Sequence, residues 1–327
     1  MRLRRSDPGR PGYRRHRRGR GWGFCDPAGE PVRDSDRLAR LRDLVIPPAW
    51  QDVWISPYPN GHIQATGVDA AGRRQYLYHP EWRRKRDEAK FDHVLEVARR
   101  LPRLRERVAE DLDGRGLSRE RVLATVARLL DLGAFRVGSE RYAAGDDPTF
   151  GVSTLRPEHA HSRRGCMVLE FPAKGGVEQI RWIEDPVLCR VLANLRRRRR
   201  SAARLFGYWD GRHWRDVRRD DVNGYLRVAS GGEMTAKDFR TWHATVLAAT
   251  GLAAAGGQRS ATARRRAVAG VMREVAGLLG NTPTVARASY VDPRVVELYH
   301  DGVLAPVGRW MPREDAERGV LELLAEA

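Results

Sequence analysis

The sequence predicts an α+β protein: a small N-terminal antiparallel β-sheet domain followed by a mainly α-helical domain with an inserted β-hairpin. Before His79, short apolar stretches alternate with Pro, Gly, Asn and Asp turns. From Glu81 on, apolar residues recur at helical intervals of three and four. That helical pattern is interrupted once, where MVLEFPAKGGVEQIRW reads as two strands folded back at Lys174-Gly175-Gly176.

Taken in order, residues 1–20 hold nine arginines and one aspartate amid Gly and Pro, which predicts a basic, flexible tail. Residues 21–85 form the expected β domain. GWGFCDPAGEPVRD reads as a hairpin turning at Asp26–Gly29, and Ser35–Leu44 as a short helix ahead of Ile46-Pro47-Pro48. Strands follow at Asp52–Ser56, at His62–Thr66 and around RRQYLYH. Residues 86–327 form the helical domain. Its first pattern is divided by Pro102, and its second carries Ser118 as N-cap and Glu120 in the first turn. Further helices are expected at 184–200, 219–229, 235–251, 259–279 and 283–290.

Charge indicates the partner. The formal net charge is +18, which favours nucleic acid, since each phosphate neutralised releases counterions. No apolar run is long enough to span a bilayer, and the basic start lacks the apolar segment of a secretory signal. Cys25, Cys166 and Cys189 lie far apart, without metal spacing, which suits a reducing compartment. Neither a GxxxxGK[ST] loop nor a GxGxxG unit is present. His159 and His161 lack an evident third metal ligand. Expected cofactors and metals are therefore none.

Only four of the 60 basic residues are lysines, Lys85, Lys90, Lys174 and Lys237. A GC-rich genome would account for the arginine bias, and each lysine gains interest against it. An ammonium can exchange its proton where a guanidinium cannot easily do so.

Five residues are candidates for chemistry. In LGNTPTVARASYVDP, Thr282 and Pro283 start a short helix that ends near Tyr290, and Asp292-Pro293 repeats the start signal. By itself Tyr290 reads as a core tyrosine. Arg136, in LLDLGAFRVGSERY, reads as the helical partner of Glu140. Lys174 reads as a solvated turn lysine, and Lys237 and Arg240 as an exposed basic helix face. Together, however, Arg136, Lys174, Lys237-x-x-Arg240, Asn281 and Tyr290 resemble in order the catalytic set of type IB DNA topoisomerases, particularly the compact poxviral and bacterial members. PPAWQDVWISPYPNGHIQATGVDAAGRRQYLYHPEW is similar to that family's N-terminal DNA-binding sheet. FRVGSERY, TLRPEHA, TAKDFRTWHAT and LGNTPTVARASYVDPRVV are similar to its catalytic blocks.

The resemblance implies a C-shaped clamp on double-stranded DNA, a monomer, and a location in the cytoplasm on the nucleoid. It implies relaxation of supercoils through a 3′-phosphotyrosyl intermediate at Tyr290, without ATP or metal. Arg136 and Arg240 would steady the transition-state oxygens, and Lys174 would protonate the leaving 5′ oxygen. Asn281 stands where poxviral and eukaryotic members carry His, so hydrogen bonding without proton transfer is expected of it. Gln64, Gln75, Tyr76, Tyr78 and Lys237 are the candidate DNA contacts, and Arg196–Arg200 a candidate phosphate track. A tyrosine recombinase shares the Arg/Lys/Arg/Tyr chemistry but typically shows His-x-x-Arg where this chain has Lys237-Asp-Phe-Arg240. A non-catalytic basic nucleic-acid-binding protein would explain the charge, but not the spacing of Asn281 and Tyr290.

Overall fold

Strands dominate the first part of the chain and helices the second. The computed structural model describes residues 1–133, 135–308 and 311–326. It divides into two units, Met1–Asp92 and His93–Ala327.

In the first unit, β1 (Tyr13–Arg18), β2 (Gly21–Cys25), β3 (Gln51–Ile55), β4 (Ile63–Val68) and β5 (Arg74–Tyr78) form one sheet in the order β2-β1-β3-β4-β5. All of its strand pairs are antiparallel. Helix α1 (Ser35–Asp43), capped by the Asp34 carboxylate, contributes Leu41 to a core with Tyr13, Phe24, Val53, Ile55 and Ala65.

The basic start is not the expected flexible tail. Arg4 N–H donates to Asn60 O at 2.9 Å, and His62 N–H to Arg4 O at 2.9 Å. The Trp54 indole donates to Arg10 O at 2.9 Å. Arg15, inside β1, spends its guanidinium on the carbonyls of Ile46, Pro47 and Trp50. Backbone pairing and the burial of Tyr13 outweigh a composition that otherwise favours disorder. The turn at Asp26–Gly29 forms, but β2 pairs with β1 rather than building a hairpin within 21–34, apart from one Cys25–Pro31 bridge.

Helix α2 (Pro80–Leu112) contains the division between the units and runs through Pro102, where a break was expected. Proline in a helix interior costs about 3 kcal/mol. Leu95, Leu101, Leu104 and Val108 flank it, all buried, and each contributes about 1.5–3 kcal/mol, so packing wins. Helix α3 (Arg119–Leu132) starts at the Ser118 cap and is followed by the single turn α4 (Glu140–Ala143).

The inserted hairpin is the larger part of a three-stranded sheet, β6 (Ala160–Arg163), β7 (Cys166–Ala173) and β8 (Val177–Ile183), with β7 central. Helix α5 (Pro186–Arg198), hairpin β9 (Gly207–Trp209)–β10 (Trp214–Asp216), and helices α6 (Arg219–Ser230), α7 (Ala236–Ala255), α8 (Ala261–Leu279), α9 (Pro283–Ser289), α10 (Pro293–His300) and α11 (Arg313–Ala325) complete the unit. Helices α7 to α10 pack on one another, which brings distant sequence blocks together. No described helix is long and apolar enough to cross a membrane.

Candidate active site

The site is organised by the C-terminal end of α8. Gly280 caps this helix in the left-handed conformation, φ +61°, and Asn281 N–H returns to Ala276 O at 3.0 Å. The last carbonyls of the helix, its negative end, are left for other donors. Arg136 Nη2 donates to Leu279 O at 3.3 Å, to Gly280 O at 3.2 Å and to Asn281 Oδ1 at 2.8 Å. Arg240 Nη2 donates to Leu279 O at 2.8 Å.

Arg136 does not stand on a helix paired with Glu140, as local spacing suggests. Helix α3 stops at Gly133, and Glu140 instead meets Arg204 at 3.3 Å. The backbone of Arg136 is clamped by Val152, whose N–H donates to Arg136 O at 2.8 Å, while Ser153 N–H donates to Val137 O at 2.7 Å. The clamp requires glycine: a Cβ on Gly151 would lie 2.4 Å from Gly138 N.

Arg240 lies on α7 and is only 4% exposed. Burial, together with the charge of Arg136, pulls its pKa down to about 10. Its guanidinium carbon sits 5.3 Å from the centre of the Tyr290 ring. Tyr290 is the C-cap residue of α9, a helix started by Thr282 and Pro283 as the sequence indicates. Thr245 Oγ1 clasps the backbone just after this position, donating to Tyr290 O at 3.3 Å and accepting from Asp292 N–H at 3.1 Å. Burial alone would raise the phenol's pKa. The charges of Arg240 and Arg136, and their hydrogen bonds to it, more than offset that and hold it below the ordinary value.

Asn281 Oδ1 is engaged by Arg136, whereas its Nδ2 is buried with no hydrogen-bond partner among the described residues. Lys174 stands exposed in the β7–β8 turn and lines the same cleft as Arg136 and Arg240. Arg181 on β8 also lines this cleft, and no Asp or Glu is among its described lining residues. Sequence reasoning missed Arg181. Its alternation with Gln179 along β8 was a signal, hidden among so many arginines. Lys237 is exposed in the first turn of α7 and does not line the cleft.

Elsewhere, His159 accepts the Arg156 N–H and packs edge-on against Phe150. Arg199, within the arginine run, is buried and paired with Asp216, so it belongs to the scaffold. In the first unit Gln64 is not available for DNA. It is 4% exposed, and its amide nitrogen donates to Gly61 O at 2.7 Å and to Pro59 O at 2.9 Å. These bonds tie off the β3–β4 turn. Gln75 donates to Asp69 at 2.8 Å and alternates along β5 with the exposed residues. Tyr76 and Tyr78 are 43% and 37% exposed and stack with ring centres 6.0 Å apart.

Comparison with known proteins identifies the family. Residues 79–302 match the family model described as eukaryotic DNA topoisomerase I, catalytic core. Residues 21–69 match that of the bacterial DNA topoisomerase IB N-terminal domain. A DNA topoisomerase 1B of Acanthamoeba polyphaga mimivirus is 29% identical over 278 residues, covering 83% of this chain and 81% of the viral protein. The chain therefore belongs to the type IB DNA topoisomerases and is an isomerase that acts on DNA.

Proposed function

We propose that this topoisomerase relaxes supercoiled duplex DNA by transient cleavage of one strand at Tyr290. The observation that carries the reading is the pair of guanidiniums, Arg136 and Arg240, set against the Tyr290 phenol and holding it below its ordinary pKa. A phosphodiester repels a nucleophile, and a tyrosine near its reference pKa of about 10 attacks poorly until both problems are met. Two arginines meet both: they favour the phenolate and offer forked donors to the non-bridging oxygens.

In the forward step the Tyr290 hydroxyl loses its proton to water and its oxygen bonds to phosphorus. The bond from phosphorus to the 5′ oxygen breaks, and the Lys174 ammonium gives that oxygen a proton. The unpartnered Nδ2 of Asn281 supplies a further hydrogen bond to the developing charge. Religation is the reverse, and the 3′-phosphotyrosyl bond keeps the energy of the broken linkage. Between the two steps the cut strand swivels. All the charges invoked belong to the protein, so neither ATP nor a metal ion is required. Tyr76 and Tyr78 are the residues of the β sheet we assign to DNA contact, with Lys237 as a phosphate contact on α7.

Plasmid relaxation in EDTA, without ATP, combined with trapping of the covalent adduct, tests this. The wild-type chain relaxes the plasmid and leaves a 3′-linked adduct that maps to Tyr290. Tyr290→Phe binds DNA and does neither. Relaxation by the phenylalanine variant would place the nucleophile elsewhere.

A further inference from the structure

The cleft carries more positive charge than one phosphate can use. Arg136, Lys174, Arg181 and Arg240 all line it, no carboxylate is among its described lining residues, and a scissile phosphodiester brings a single negative charge. The end of α8 offers only about half a charge in compensation. Arg136 and Arg240 are committed to Tyr290 and Lys174 to the leaving oxygen, which leaves Arg181 without a task.

The setting of Arg181 suggests one. The alternation of β8 puts Gln179 and Arg181, both half-buried, on one side and Ile180 and Trp182, both exposed, on the other. Arg181 Nη2 donates to Leu278 O at 3.3 Å and to Gln179 Oε1 at 2.7 Å. The guanidinium thus rests on the same turn of α8 that holds Arg136 and Arg240. One nitrogen anchors the plane, while Nε and Nη1 have no hydrogen bond among the described residues. Burial pushes the pKa of the group down, and no carboxylate counters that. An anchored guanidinium with a free edge suits two oxygens of one phosphate.

We propose that Arg181, braced by Gln179, binds the DNA phosphate adjacent to the scissile one in the cleaved strand. This rests on the reading of the cleft as the cleavage site. Arg181 would then fix the register of the strand, so that the phosphorus stands opposite Tyr290.

The test is binding of a duplex containing a mapped cleavage site, with single neutral methylphosphonates placed at each flanking phosphate in turn. It is measured in the Tyr290→Phe background, so that no chemistry intervenes. Arg181→Ala is expected to weaken binding about 10-fold or more, as for a lost hydrogen-bonded charge, and to lower the salt slope by about one. The Arg181-containing protein should lose affinity at one neighbouring phosphate, and Arg181→Ala should lose nothing further there. Arg181→Lys should restore part of the affinity and, if the alanine variant does not fold, is scanned in its place. An undiminished penalty at every flanking phosphate in the variant overturns the proposal. Failure of the Tyr290 reading would show separately, as cleavage by Tyr290→Phe.

Discussion

Two clusters of charge lie in the helical unit, and they are built on opposite principles. At one, Arg105 of α2 and Arg313 of α11 surround Asp131 of α3 and Glu317 of α11, with His243 of α7 alongside. Arg105 meets Asp131 at 2.9 Å and Glu317 at 2.8 Å, while Arg313 meets Asp131 at 2.7 Å and Glu317 at 2.8 Å. Burial alone would raise the Asp131 pKa, but the hydrogen bonds of Arg105 and the charges of Arg313 and Arg105 hold it well below the carboxylate range. At the other, Arg136, Arg181 and Arg240 converge on backbone carbonyls. The first cluster is electrically closed and serves packing. The second is held by dipoles, so its charge remains available to a ligand.

This contrast makes the two clusters fail differently. The largest effect is expected at the closed one. Asp131→Ala leaves Arg105 and Arg313 to share the one carboxylate of Glu317, so one positive charge goes uncompensated, and should cost about 3–5 kcal/mol of unfolding free energy, read by denaturant titration. Arg240→Ala should cost about 10²–10³-fold in the cleavage rate, roughly 2.7–4 kcal/mol of barrier, with the unfolding midpoint scarcely moved. If Arg240→Ala instead unfolds as readily as Asp131→Ala, the two clusters are not distinct in kind.

Their pH responses should also separate. Cleavage should rise with pH along a limb whose midpoint lies below the ordinary tyrosine value of about 10, because Tyr290 is shifted down. Arg136→Ala should move that limb upward. An unshifted limb would detach the arginines from Tyr290. Stability should respond at acid pH. Asp131 has its folded pKa lowered, as does His243, the latter by burial. Each therefore contributes stability that is complete above its unfolded pKa and is lost as pH falls through the folded one. Thermal scans should show the decline beginning below about pH 6.5 for His243 and below about 4 for Asp131. His243→Gln should remove the earlier part. The smallest effect is expected from Tyr76→Ala with Tyr78→Ala: about 1 kcal/mol in DNA binding, with the cleavage step unchanged.

What the sequence revealed follows from the range of the forces involved. The start of α9 was legible because Thr282 and Pro283 act within one turn. Strands β3 to β5 and the Ser118 cap were legible for the same local reason, whereas β1 lay in a stretch whose composition reads as a tail. Pro102 misled because the core that buries Leu95, Leu101, Leu104 and Val108 is completed by residues far along the chain. Arg136 misled because its anchor, the end of α8, lies more than 140 positions away in the sequence. The order of the candidate residues was visible without geometry. The excess charge around Arg181 was not, since pairing cannot be read from composition.

Thr245 has a mechanical consequence. Its hydroxyl clasps the backbone immediately after Tyr290, from Tyr290 O to Asp292 N–H, and sits on α7, three helical positions from Trp242 in the core. Under the proposed reaction the severed strand hangs from Tyr290 while the duplex turns, so torque enters the protein at that single side chain. The short helix α9 is a weak lever by itself. Thr245 gives the load a route into a 20-residue helix embedded in the core, so the free end can spin while its tether stays in place for resealing.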